Sequence, residues 1–258
     1  MTFSCGRGRG FHRMRGRSSI LLFVLFLAAG SRADAGCVDA ASLTHSSVAI
    51  TRYFDDAEHA ARPGVSGVQG TAWFLSPTAI VTVAHVAEGM KLSTQVWKSI
   101  EIQDGDDMRS NDVRIRRLAG TQQEKLAVLE LQKPVAGARS ISIRTAPLAP
   151  DDPVVTLAYA AGRQRLVGGR FVQLGETDRF AGAALLEMYD GNDRLAVDHG
   201  ASGAPVFDCE GRVAAVISTV ITQTLAWATD DIRISTAWGT PNVVSVPIQA
   251  LSDFSAAQ

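Results

Sequence analysis

The sequence predicts an all-β protein, a sandwich or barrel built in two similar halves. Three observations carry that expectation. Short runs of five to seven residues, most of them rich in Val, Ile or Thr, recur with Gly, Pro, Asn, Asp or Ser nearby. Helical periodicity is scarce. A stretch holding four of the nine prolines, residues 132–153, divides the rest of the chain into halves of roughly 110 residues, each long enough for its own core.

In chain order, strands are expected at Val48–Arg52, Thr71–Leu75, Ala79–Val83, Val113–Leu118, Leu126–Leu131, Val154–Tyr159, Arg170–Leu174, Val213–Thr219 and Asn242–Pro247. Ala84–Gly89 reads as one helical turn and Ile248–Phe254 as a terminal helix. The acidic, turn-rich stretch containing Asp104, Asp106, Asp107 and Asp112 reads as a solvated loop.

The first 35 residues differ from the remainder. They carry six Arg and one Asp, a balance of +5, which leaves the other 223 residues at −6 in a chain of net charge −1. Such an acidic remainder has no electrostatic footprint for nucleic acid. The Arg-rich start, the ten apolar residues Ile20–Ala29 and the small residues Ala33 and Ala35 follow the order of a secretory leader. Ten residues are too few to span a bilayer as a helix, which needs about 20. The expectation is therefore cleavage after Ala35 and export to the periplasm or medium, with a membrane anchor as the alternative; a lipoprotein site at Cys37 is disfavoured by Asp34. Cys5 would leave with the leader. Cys37 and Cys209 would remain in an oxidising compartment, either bridged or as two separate thiols.

Two segments could carry chemistry. Gly70 to Val86 (GTAWFLSPTAIVTVAHV) reads as strand, turn and strand leading to His85, which would stand at a strand end where a rigid scaffold can aim it. Ser202 lies in DHGASGAPVF, where Gly200 and Gly203 let the backbone fold tightly and turn its amides toward one point. That arrangement suits oxyanion stabilisation beside an attacking serine. No metal ligands stand at metal spacing, and His12, His45, His59 and His199 have no partner pattern. No phosphate-loop lysine follows Gly168-Gly169. Neither cofactor nor metal is expected.

These segments resemble the signatures of the chymotrypsin-like (trypsin-like) serine peptidases, closest to bacterial members including the high-temperature-requirement type. The T-A-A-H pattern appears as Thr82-Val83-Ala84-His85. The G-[DN]-S-G-[GS]-P pattern appears as Gly200-Ala201-Ser202-Gly203-Ala204-Pro205, with Gly211 nine residues beyond the serine. The tail from Asn242 to Ile248 resembles the closing strand of the bacterial members.

The resemblance implies two six-stranded antiparallel β-barrels, at 36–143 and 144–258, with an active site in the cleft between them and a short C-terminal helix. It implies Ser202 as nucleophile, His85 as general base, and Gly200 and Ser202 as oxyanion donors. Ala196, Ser218, Thr219 and Val220 would line the substrate pocket. The partner would be a peptide or protein substrate, and the mature protein a monomer without membrane attachment.

One position departs from the family pattern. The acid that orients the histidine normally precedes an apolar-Ala-apolar-apolar run; here the run is Leu126-Ala127-Val128-Leu129 and the residue before it is Lys125. Lysine has no acceptor for an imidazole N–H. Glu124 stands one residue earlier, which on a regular strand is the opposite face. Three outcomes stay open: Glu124 completes the triad, a His–Ser dyad works alone at reduced rate, or the cleft binds without turnover. Ala201 also replaces the acid that pairs with a new N-terminus in zymogen-type members, and Ala204 replaces a Gly or Ser.

Overall fold

Twelve strands pair in two closed six-stranded barrels, the first in the order β1-β2-β3-β6-β5-β4 and the second β10-β11-β12-β9-β8-β7. The computed structural model describes residues 38–120, 125–160, 162–176, 181–189, 197, 199–220 and 241–251. The first barrel comprises β1 (Val48–Tyr53), β2 (Gly67–Ser76), β3 (Ala79–Val83), β4 (Lys98–Asp104), β5 (Asp107–Gly120) and β6 (Lys125–Leu131). The second comprises β7 (Pro153–Ala160), β8 (Arg163–Leu174), β9 (Ala184–Tyr189), β10 (Pro205–Phe207), β11 (Val213–Val220) and β12 (Val243–Pro247). All named ladders are antiparallel, and closure removes exposed sheet edges.

The nine strands expected from sequence are all present, several of them longer. The Asp104–Asp112 stretch is not a solvated loop. Gly105-Asp106 is the turn of a hairpin, Asp104 ends β4, and Asp107 and Asp112 belong to β5. The alternation of Ile100 and Ile102 with polar neighbours places one face of β4 inward and explains the difference. The terminal segment forms a 3-10 helix at Ile248–Leu251, and the rest of the helix expected over Ile248–Phe254 lies outside the described residues.

Two short helices complete the first barrel. The first, α1 (Asp56–Ala61), begins with a capping box: Asp55 accepts from the Glu58 amide while the Glu58 carboxylate accepts from the Asp55 amide. The second, α2 (Ala84–Gly89), follows β3 directly and is held by buried Ala84, Val86 and Ala87.

Period-2 alternation on β7 couples the barrels. Val154, Ala158 and Ala160 pack into the second barrel with Phe171, Leu186, Met188 and Ile217. Val155 and Leu157 point the other way, into the cluster of Trp73, Phe74, Ile80 and Leu129 in the first barrel. With both faces covered, β7 reads as the nearly unbroken apolar run VVTLAYA. The connection from 132 to 152 is tied to the second barrel by the Ile143–Val213 bridge and by Arg144, which pairs with Asp152 at 2.9 Å and Asp208 at 3.8 Å.

Candidate active site

The segment bearing His85 is built on a rigid base. All five residues of β3 are buried, and β3 pairs with β2 on one side and β6 on the other. At Val83 the chain turns into α2, which anchors itself through Ala84, Val86 and Ala87 and leaves His85 exposed. An exposed imidazole on a buried base is open to a substrate without freedom of the backbone.

The Ser202 loop is clamped from both barrels. Gly200 and Gly203 adopt φ of 93° and 92°, the left-handed region that favours glycine. At Gly203 a side chain is also sterically barred, because a methyl would collide with the Thr71 carbonyl oxygen and the Thr82 hydroxyl. From the second barrel, the Gly203 amide donates to Ile217 O at 2.8 Å and the Ala204 amide to Ala201 O at 3.0 Å. From the first, the Thr71 amide donates to Ser202 O at 2.8 Å and the Thr71 hydroxyl to Gly200 O at 2.6 Å. A Cβ on Gly70 would lie 2.6 Å from Val86 Cγ1 and 3.3 Å from Ser202 O. The residue after His85 and the backbone of the serine therefore both press on one glycine of β2.

Ala201 and Ala204 are fully buried in the apolar interior of the second barrel. A carboxylate at 201 would be desolvated there, which accounts for alanine at that position. The amides of Gly200 and Ser202 donate to no protein acceptor among the described residues. Two backbone donors two residues apart, one of them the serine's own, can receive a developing oxyanion.

The Ser202 hydroxyl donates to the backbone carbonyl of Ser218 at 2.9 Å. The β11–β12 register shifts between Ile217 and Thr219, which leaves buried Ser218 as the bulged residue. Thr219 beside it is exposed, and Val220 ends β11. A hydroxyl has one proton, so a Ser202 side chain committed to Ser218 O must turn about Cα–Cβ before a base can take that proton.

Of the other residues expected from sequence, Glu124, Ala196 and Cys37 lie outside the described ones. Lys125 opens β6 as an exposed residue. His45 bonds Asp104 at 2.9 Å, and His59 Nδ1 lies 3.0 Å from Val65 O, so both have local partners. Among the described residues no group of three or more His, Cys, Asp or Glu could hold a metal ion. The sequence reading missed Thr71 and Tyr159 as links in the site. Tyr159 donates its amide to the Thr71 hydroxyl at 3.1 Å, and its own hydroxyl accepts from the Gly105 amide at 2.9 Å. Burial pushes the Tyr159 phenol above its ordinary value, so it stays protonated. The only local signal for Thr71 is a hydroxyl residue directly after a glycine.

A family model described as trypsin-like peptidase domain matches residues 70–216, more than half of the chain. No curated protein matches the sequence. Among solved structures, the active form of the Rv3671c protease from M. tuberculosis is similar with a TM-score of 0.55 at 17% identity, covering 84% of this chain and 82% of that one. An inactive form of the same protease gives 0.53 at 17% identity, covering 84% and 90%. Its serine-to-alanine variant from M. tuberculosis H37Rv, also in an inactive form, gives 0.53 at 17%, covering 84% and 88%.

Proposed function

Starting from a chain that belongs to the trypsin-like peptidase family, we propose that it is an exported serine endopeptidase that hydrolyses peptide bonds. Ser202 is the nucleophile and His85 the general base in this reading. The Ser202 Oγ attacks the scissile carbonyl carbon as His85 takes its proton, and the amides of Gly200 and Ser202 bind the oxyanion. The C–N bond then breaks as His85 returns the proton to the leaving amine. Water repeats the sequence to release the acid and restore the serine.

One observation carries this reading: Ser202 stands between two left-handed glycines, Gly200 two residues before it and Gly203 directly after it, in a loop whose Gly200 and Ser202 amides are unclaimed among the described residues. Ser218, Thr219, Val220 and Ala196 would line the adjoining pocket. A substrate N–H arriving at the Ser218 carbonyl would compete with the Ser202 hydroxyl for that acceptor, so binding itself would favour release of the nucleophile. Glu124 is the acid assigned to His85. Its support is that Leu126, two residues on, faces Val83, two residues before His85.

The test is cleavage of an unfolded protein together with labelling by a fluorophosphonate. Wild type is expected to do both, and Ser202→Ala and His85→Ala neither. A folded wild type that resists labelling across the pH range overturns the assignment. The second reading, peptide binding without turnover, is favoured by Lys125 at the position of the family's acid. It predicts saturable peptide binding that survives Ser202→Ala in a parent that turns nothing over.

Export rests on the leader pattern of residues 1–35, and N-terminal sequencing should then begin at Gly36. A Cys37–Cys209 bridge rests on the even cysteine pair that remains once the leader is removed in an oxidising compartment, and intact-mass analysis without reductant should find no alkylatable thiol in the mature chain. The mature protein is read as a monomer acting on peptides or proteins without cofactor, with 36–143 and 144–258 as its two domains.

A further inference from the structure

We propose that Thr71 is the positioning residue that holds the oxyanion donors in register, an inference that rests on the peptidase reading. Thr71 is fully buried and all of its polar atoms are engaged. Its hydroxyl donates to Gly200 O at 2.6 Å and accepts from the Tyr159 amide at 3.1 Å. Its amide donates to Ser202 O at 2.8 Å, and its carbonyl accepts from the Thr82 hydroxyl at 2.8 Å. A residue of the first barrel thus ties β7 and the serine loop of the second.

Peptide planarity gives these bonds their consequence. The carbonyls of Gly200, Ala201 and Ser202 are held by the Thr71 hydroxyl, the Ala204 amide and the Thr71 amide respectively. Each planar peptide unit then has one orientation. The unit from Gly200 to Ala201 lies between the two oxyanion donors, and its only clamp among the described residues is the Thr71 hydroxyl. Glycine at 200 imposes little torsional restraint of its own. Without the hydroxyl that unit can rotate, and the Gly200 and Ser202 amides stop converging. Tyr159 keeps the hydroxyl aimed, since its amide occupies the Thr71 oxygen from the other side and its ring is pinned at Gly105.

The experiment compares Thr71→Val, which keeps the shape and removes the hydroxyl, with Thr71→Ser, which keeps the hydroxyl. Rates are expressed per site titrated by a fluorophosphonate, so loss of folded protein does not count. Thr71→Val should lower kcat about 10- to 100-fold, less than the roughly 10²–10³ lost when an oxyanion donor itself is removed, with KM changed by less than about threefold. Thr71→Ser should restore kcat to within about threefold of wild type, and the pH midpoint of kcat should not move. A Thr71→Val kcat within threefold of wild type, or a loss that serine does not restore, overturns the proposal. Amide hydrogen exchange across residues 200–204 is read in the same variants. Should wild type prove inert, the peptidase reading fails by itself. Faster exchange there in Thr71→Val than in Thr71→Ser still supports the clamp, and equal exchange overturns it.

Discussion

Val83 and Leu126 face each other in the β3–β6 ladder, so the strand that delivers His85 ends beside the start of the strand opened by Lys125. Glu124 precedes Lys125 in sequence. If Glu124 orients the imidazole, Glu124→Gln should lower kcat by about 10²–10⁴ with little change in KM, as loss of the orienting carboxylate does elsewhere. Lys125→Ala should leave kcat within about twofold. Steady-state kinetics on one peptide substrate checks both, and an unaltered Glu124→Gln rate would leave the His–Ser dyad as the working unit.

Gly203→Ala should be among the most damaging small substitutions in the chain. Its φ of 92° disfavours any side chain, and the added methyl would meet the Thr71 carbonyl and the Thr82 hydroxyl. Left-handed backbone and overpacking together should cost about 2–5 kcal/mol. Urea unfolding should show the loss, and Gly211→Ala, whose methyl would meet no atom within 4 Å, should lose only the backbone part.

Glu58 sits among three cations. Arg52 Nη2 donates to it at 2.7 Å, and Lys91 and Lys98 lie 3.7 and 3.9 Å away. The Arg52 hydrogen bond is the main cause of a carboxyl pKa lowered from 4.5 to about 2. Because the folded value is the lower one, the stabilisation is fully present above about pH 4.5 and is lost as pH falls toward 2. With Arg52 only 5% exposed, Glu58→Gln should remove about 2–4 kcal/mol near neutral pH by leaving a buried guanidinium unpaired. Denaturation curves of the two proteins should converge as pH falls through that window; a constant gap would refute the assignment.

Asn242 lengthens the β9–β12 ladder with its side chain. Its Oδ1 accepts from the Met188 amide at 2.9 Å and its Nδ2 donates to Met188 O at 2.8 Å, both buried. Asn242→Leu would orphan two backbone groups and should destabilise by about 2–4 kcal/mol. Thermal melts and urea titrations should show it without change in kcat per titrated site.

Strand identity was readable wherever local pattern and packing agreed. β3, β7 and β11 are buried and rich in β-branched or apolar residues, and all three follow from the sequence. The strands that escaped were those in which local chemistry argued otherwise. β9 is ALLEMY, built largely from helix formers, and it is a strand because β8 and β12 satisfy its backbone on both sides. β10 is three residues long and begins with proline, and five of the seven residues of β4 are charged or polar. The α1 start carries a capping pattern in Asp55 and Glu58, but the helix buries no residue and so has no apolar periodicity to mark it in the sequence.

By itself the sequence determined the all-β character, the two halves, and the histidine and serine segments, because period-2 patterning, turn residues and spaced motifs are properties of neighbouring residues. Tertiary structure alone decided the pairing that closes each barrel, the bulge at Ser218 and the bond its carbonyl accepts from the Ser202 hydroxyl, and the meeting of Thr71 with a loop 129 residues away. Those features are hydrogen bonds between groups far apart in the chain. Every residue carries the same amide and carbonyl, so composition cannot say which distant partner each will find until burial forces the choice.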